Sequence, residues 1–217
     1  MKYIFVFLVF GLTALSACKK ECAGNPIVVE SCDTTGLVVL DSKEPSLRKY
    51  VIRNDSTALY GYATAIKSVP SKGEITWVAN NSIYNFNDKY YLFMSNYGDN
   101  AWYNLEFWAY LRENIVIIFD PLTLGQQKVL DEQSYMTDTT LNYSYYHKRH
   151  DDYTEAGWRI NTHEENYITV NSIDREKNII EGEFDLHFSL IGQNHVDGPY
   201  AATIRFRCGK FKAKIFE

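Results

Sequence analysis

Residues 178–190 read NIIEGEFDLHFSL, and this stretch decides the fold class. Its large apolar side chains fall on every second position, and most positions between them are polar. One face carries Ile180, Gly182, Phe184, Leu186, Phe188 and Leu190. Alternation with a period of two predicts an antiparallel strand with one face in the core and the other in water.

The same alternation recurs along the rest of the chain. It is clear at 167–173, 200–208 and 211–215, and a polar loop at 174–178 separates two of the strands. Further strands are predicted at 50–53, 58–69, 74–79, 90–96, 102–111, 115–120 and 141–147. Because no segment of ten or more residues has a helical period, we expect an all-β domain. Its architecture is expected to be an antiparallel β-sandwich or flattened barrel of about ten to twelve strands.

The N-terminal segment has the features of an export signal. Lys2 supplies a positive charge, residues 3–12 form an apolar run, and Leu15-Ser16-Ala17 precedes Cys18. The run is shorter than the roughly 20 residues that span a bilayer as a helix. The pattern resembles a bacterial lipobox, which implies cleavage before Cys18 and acylation of this residue.

This interpretation divides the chain into a lipoprotein signal peptide at 1–17, a tether at 18–45 and an antiparallel β domain at 46–217. Acyl chains on Cys18 hold a protein on a membrane, because each buried CH2 contributes about 0.8 kcal/mol. Lys19 is not the aspartate that marks inner-membrane retention in many enteric bacteria, so we expect an outer-membrane location. The pattern leaves open whether the domain faces the periplasm or the cell surface.

Three further cysteines allow three different single disulfides. They are Cys22, Cys32 and Cys208, and an exported chain meets an oxidising compartment in which a disulfide is stable. The short separation favours a Cys22–Cys32 pair, and strand parity predicts that Cys208 is a small buried side chain. The spacing does not match a zinc site, and we expect no metal and no cofactor.

The C-terminal third resembles a known family. The stretches YITVNSID at 167–174, NIIEGEF at 178–184 and IRFRCGKF at 204–211 carry the resemblance. They are similar to the tails of a domain-of-unknown-function family of Bacteroidetes lipoproteins. The resemblance implies a β-rich lipoprotein and implies no established activity. In this pattern Gly182 and Gly209 are structural, because a glycine relieves crowding in a strand or permits a bulge.

The stretch WYNLEFWAY at 102–110 is the most suggestive candidate for ligand binding. Its alternate positions form one face, which consists of Trp102, Asn104, Glu106, Trp108 and Tyr110. Aromatic rings stack on the C–H face of a sugar, and amide or carboxylate groups bind its hydroxyls. The alternative is a second buried face, or aromatic cross-strand pairs that only stabilise the sheet.

Composition and motifs restrict the function. The chain has 217 residues with 22 Lys+Arg against 27 Asp+Glu, and this net charge of −5 argues against nucleic-acid binding. The sequence contains no nucleophile elbow, P-loop, HExxH or dinucleotide glycine motif. We therefore expect an envelope lipoprotein whose non-catalytic β domain binds a ligand or partner, either a glycan or an envelope protein. The alternative is a glycan-directed hydrolase whose acids converge from loops.

Two groups of loop residues complete the candidates. The run HKRHDD at 147–152 is interpreted as a strand end followed by a solvated loop rather than as a metal site. Three Asp-Ser/Thr-Thr tripeptides resemble the O-glycosylation acceptor pattern of Bacteroidetes. They mark Thr34, Ser56 and Thr139 as candidate acceptors.

Overall fold

Paired strands account for most of the described chain. The computed structural model describes residues 32–33, 50–51, 61–70, 72–98, 111–132, 141–150, 153–193 and 200–216. These residues all belong to one compact unit, Cys32–Glu217, and they contain eleven strands in one sheet. The strands are β1 (Tyr50–Val51), β2 (Gly61–Val69), β3 (Gly73–Phe86), β4 (Lys89–Gly98), β5 (Leu111–Phe119), β6 (Gly125–Lys128), β7 (Tyr143–His150), β8 (Tyr153–Ile160), β9 (Tyr167–Asp174), β10 (Ile179–Gln193) and β11 (Thr203–Phe216).

The last strand closes the sheet into a ring. β11 pairs with β10 along one edge and with β2 along the other. Eight strands therefore form a closed series of antiparallel neighbours: β2, β3, β4, β5, β7, β8, β10 and β11. β9 pairs with the first half of β10, and β6 pairs with β9. The prediction of an all-β domain is confirmed, and the closed ring corresponds to the flattened-barrel alternative.

The ring interior is the hydrophobic core. The predicted inner face of β10 is confirmed, since Phe184 is 1% exposed and Leu186 and Phe188 are fully buried. Large side chains from the facing strands fill the remaining space, among them Trp77, Tyr146, Trp158 and Phe206. Each fully buried side chain of this kind contributes about 1.5–3 kcal/mol relative to an exposed one.

Two glycines make room for aromatic rings between β10 and β11. Gly182 lies opposite Phe211, and Gly209 lies opposite Phe184. A Cβ atom on Gly182 would lie 2.6 Å from the ring of Phe211, and one on Gly209 would lie 2.4 Å from the ring of Phe184. Both glycines are therefore structural, because each allows the opposite ring to lie against the backbone.

A bulge in β11 explains why the cysteine prediction is wrong. The register with β2 shifts between Arg207 and Lys210, and Cys208 has a φ of 52°. The extra residue moves Cys208 out of the inward parity, so its side chain is only partly buried. Its sulfur is bonded to Cys32, 176 residues away in sequence. This bond excludes the predicted Cys22–Cys32 disulfide, and Cys208 is not a small buried residue of the core.

The bulge also changes the predicted strand boundaries. The two strands predicted at 200–208 and 211–215 form one continuous strand, β11, because the chain passes through the bulge without turning. The predicted polar loop at 174–178 is confirmed, and Asp174 Oδ1 accepts hydrogen bonds from the backbone N–H groups of Glu176 and Lys177. In the part of the chain that the structure describes, no helix has the length and apolar character needed to cross a membrane.

Candidate ligand-binding face

The outer surface of β3, β4, β5 and β7 carries a regular array of aromatic and neutral polar side chains. The pairing register aligns three rows of four residues across these strands. The rows are Tyr84, Tyr91, Ile118 and Tyr143, then Ser82, Phe93, Val116 and Tyr145, then Asn80, Ser95, Asn114 and His147. We call these twelve residues the outer grid. With about 4.8 Å between strands and about 6.8 Å between rows, the outer grid measures roughly 14 Å in each direction.

Aromatic rings dominate the first two rows. Tyr84 is 45% exposed and Phe93 is 38% exposed. Their ring centroids lie 5.8 Å apart in an edge-on arrangement, and the stacked rings of Tyr91 and Phe93 lie 6.2 Å apart. The outer grid thus offers ring edges and partly open ring faces, against which the apolar face of a ligand can pack.

Strand β5 forms the floor of the outer grid. Val116 and Ile118 point to the outer side of the ring and are 1% and 5% exposed. The register places Phe93 on one side of Val116 and Tyr145 on the other. Aromatic side chains from β4 and β7 therefore flank an aliphatic floor.

The third row is a chain of hydrogen bonds. Ser95 Oγ donates to Asn114 Oδ1, and Asn114 Nδ2 donates to His147 Nε2 at 3.2 Å. In the same row, the buried Oδ1 of Asn80 has no hydrogen-bond partner.

No residue of the outer grid is an aspartate, glutamate, lysine or arginine. Burial raises the pKa of Tyr145 above its ordinary value of 10.0, and the negative charge of Glu132 raises it further while Arg149 lowers it. The phenol of Tyr145 is therefore neutral at physiological pH. Apart from the imidazole of His147, the polar groups of the outer grid are uncharged amides and hydroxyls.

A buried polar cluster ties the ring together beneath the outer grid. Lys67 Nζ lies 2.6 Å from Glu113 Oε1, and both side chains are 0% exposed. Trp77 Nε1 donates to Glu113 Oε2 at 3.1 Å, and Lys67 Nζ donates to the hydroxyl of Tyr146 at 3.2 Å. These four residues lie on β2, β3, β5 and β7, so the cluster holds three of the four strands of the outer grid in fixed positions.

A second buried acid lies on β8. The register between β7 and β8 shifts after Lys148, which leaves Glu155 as an extra residue whose side chain is buried. The hydroxyl of Tyr200 donates to Glu155 Oε2 at 2.5 Å, and Lys148 Nζ lies 5.1 Å from the centre of the Tyr200 ring. The interpretation of 148–150 as a solvated loop is wrong, because β7 continues through His150 and Lys148 is 0% exposed.

Most of the site residues that the sequence singles out cannot be compared with the outer grid. The predicted binding residues, the lipidation and glycosylation candidates and Cys22 all lie outside the described residues. They are Cys18, Cys22, Thr34, Ser56, Trp102, Asn104, Glu106, Trp108, Tyr110 and Thr139. The sequence analysis missed the outer grid, although Tyr143, Tyr145 and His147 alternate in a predicted strand. Period two shows that they share a face, but it does not show whether that face is the inner or the outer one.

Comparisons with known proteins identify no relative of this chain, so the function has to be inferred from the chemistry of the described residues. No family model, no curated protein and no solved structure matches the chain. Among the described residues, no group of three or more His, Cys, Asp or Glu side chains is placed to hold a metal ion. We take the outer grid as the candidate site, because its aromatic and polar side chains form aligned rows across four strands.

Proposed function

We propose that the chain is a lipoprotein, anchored to the outer membrane through Cys18, whose β domain binds a neutral glycan on the outer grid without catalysing a reaction. The outer grid is the observation that carries the proposal. It combines five phenylalanine and tyrosine rings with amide, hydroxyl and imidazole groups on four paired strands and contains no aspartate, glutamate, lysine or arginine. Tyr84 and Phe93 are exposed, and Tyr91, Tyr143 and Tyr145 are partly exposed. Neighbouring aromatic rings that remain open to solvent on a domain surface are typical of an interaction site.

The chemistry of a sugar matches this surface. A sugar ring has a C–H face that packs on rings such as Phe93 and Tyr145, and its hydroxyls both donate and accept hydrogen bonds. Asn80 and His147 lie at the edge of the same surface. A charged ligand would find no counter-charge within the outer grid, which favours a neutral glycan.

The shape of the surface favours several linked sugars. A small molecule normally binds in a concave pocket that covers most of its surface. The outer grid is instead an extended face of roughly 14 Å in each direction. A polysaccharide chain laid across the strands can use several rings together.

The buried acids support binding rather than hydrolysis. Glycosidases use two carboxyl groups that flank the bond to be broken. Glu113 and Glu155 are both 0% exposed. Lys67 and Trp77 already occupy the two carboxylate oxygens of Glu113.

Affinity electrophoresis tests the proposal. Gels that contain xylan, β-glucan or mannan should retard the parent protein, and gels that contain alginate, an acidic polysaccharide, should not. Phe93→Ala and Tyr145→Ala each remove a ring and should weaken the affinity about tenfold. Tyr167→Ala is the matched control, because it removes a partly exposed tyrosine from β9, outside the outer grid.

Several results would contradict the proposal. One is equal retardation of both variants and the parent protein. Others are retardation by alginate alone, or by none of the neutral polysaccharides. Release of new reducing ends from a retained polysaccharide would identify a hydrolase and contradict the non-catalytic assignment. The near-ultraviolet circular dichroism of buried Trp77 and Trp158 confirms that each variant is folded.

A further inference from the structure

We propose a second ligand site, which takes a single neutral sugar or a similar polyol, in a groove beside the turn between β2 and β3. The groove has a volume of about 600 Å³. Its walls are the turn between β2 and β3, the segment between β8 and β9, and parts of β10 and β11. The volume is in the range of sites that bind small molecules. No residue of the outer grid lines the groove, so this site does not depend on the function proposed there.

His187 supplies a hydrogen-bonding group with a defined orientation. Its Nδ1 lies 3.1 Å from the backbone carbonyl oxygen of Glu165. A carbonyl oxygen only accepts hydrogen bonds, so Nδ1 carries the proton. In the neutral imidazole, Nε2 is then an acceptor for a hydroxyl of the ligand. The side chain is 20% exposed, which leaves it accessible from the groove that it lines.

Asn166 makes this part of the groove rigid. Its Oδ1 accepts the backbone N–H of His187 at 2.6 Å. Its Nδ2 donates to the carbonyl oxygens of Asn161 and Glu164, both at 2.9 Å. One buried amide therefore fixes the β8–β9 segment against β10. A preformed wall reduces the entropy that ligand binding costs.

The strongest charges around the groove are already paired. Arg205 donates to Asp185 at 3.0 and 2.8 Å, and Arg207 donates to Glu74 at 3.2 and 2.9 Å. Bidentate pairs of this kind satisfy both partners. A charged ligand that approached Arg205 or Glu74 would have to compete with one of these pairs, and a neutral ligand would not.

The polar part of the remaining lining suits hydroxyl groups, and Val69, Pro70, Phe188 and Ile204 form its apolar part. Ser68 and Thr203 contribute hydroxyls, and Asn161 contributes an amide whose Oδ1 already accepts the backbone N–H of His163 at 3.2 Å. Lys72 and Glu164 add one charge of each sign. Sugar hydroxyls donate to acceptors such as imidazole Nε2 and accept from hydroxyl and amide donors, so one ligand can use all of these groups.

The test measures the binding of monosaccharides to the full-length protein by saturation-transfer NMR and calorimetry. The probes are glucose, galactose, mannose and N-acetylglucosamine, with glucuronate and glucosamine as charged comparisons. His187→Asn keeps an N–H donor near the position of Nδ1 and removes Nε2, and Thr203→Val removes a hydroxyl at nearly constant shape. Each variant should bind the preferred neutral sugar about tenfold more weakly than the parent, and Phe93→Ala should bind it equally well.

The groove assignment would be overturned if the folded parent protein bound none of the neutral sugars, or bound a charged sugar more tightly. Unchanged affinity in both groove variants would also overturn it. Loss of monosaccharide binding in Phe93→Ala alone would move the ligand to the outer grid, which contradicts the groove and supports the function proposed above. If the parent protein bound a neutral monosaccharide but was retarded by none of the neutral polysaccharides, only the function proposed for the outer grid would be contradicted.

Discussion

Replacement of Lys67 by methionine isolates the energetic role of the buried polar cluster. The change removes the ammonium group 2.6 Å from Glu113 and keeps an unbranched apolar side chain of similar length. Glu113 then retains only the indole N–H of Trp77 as a partner. A carboxylate that is 0% exposed cannot replace the lost partner with water, because it lies inside the ring.

The expected loss of stability is about 3–5 kcal/mol, the usual result when one partner of a buried ion pair is removed. This is a large part of the roughly 5–15 kcal/mol by which most domains are stable. The double change Lys67→Met/Glu113→Leu removes both charges, so it should recover part of the loss. Recovery should be incomplete, because Trp77 Nε1 loses its acceptor and an unsatisfied buried donor costs about 1–3 kcal/mol.

Urea unfolding followed by tryptophan fluorescence measures these free energies. Lys212→Met is the matched control, since Lys212 also lies 2.6 Å from a glutamate, Glu181, but both side chains are about half exposed. The control should change the stability little, because solvent screens exposed pairs. The reasoning is refuted if Lys67→Met is no more destabilising than Lys212→Met, or if the double variant is less stable than Lys67→Met alone.

Three further outcomes are expected. Gly209→Ala should lower the free energy of unfolding by about 1–3 kcal/mol in thermal unfolding, because the new Cβ would lie 2.4 Å from the ring of Phe184. Cys208→Ser should cost up to about 5 kcal/mol, since the bond to Cys32 closes a separation of 176 residues, and non-reducing peptide mapping of the parent protein should recover this linkage. The raised pKa of Tyr145 means that the unfolded phenol loses its proton first, so stability should fall as the pH rises above 10.0 and Tyr145→Phe should reduce that fall in alkaline urea titrations.

Much of the strand pattern could be predicted, because alternate burial leaves a direct trace in the sequence. The inner face of β10 follows from period two alone, and its residues are buried as expected except Leu190, which is partly buried. Bulges break this period. The bulge at Cys208 reverses the parity of that residue, and the extra residue Glu155 places two buried side chains in succession at 155–156, which is why β8 was not predicted.

The outer grid and the buried polar cluster could not be predicted for a different reason. Residues 115–119 read IVIIF, so both faces of β5 are apolar and period two cannot separate them. Lys67 lies on the same face of its strand as Ala63 and Ala65, because the three residues are two positions apart. A lysine in a strand nevertheless normally indicates a solvent-facing position. Only the closed ring shows that Lys67 points inward, to an acid 46 residues away in sequence.

An NMR titration with a neutral oligosaccharide tests most directly whether the outer grid is the binding surface. The protein carries isotope-labelled phenylalanine and tyrosine rings, and the oligosaccharide is taken from whichever polysaccharide retards the protein most. The ring signals of Phe93, Tyr91 and Tyr145 should shift as the ligand is added, and the signal of Tyr167 should stay constant. Shifts at Tyr167 with unchanged signals from the three grid residues would contradict the account.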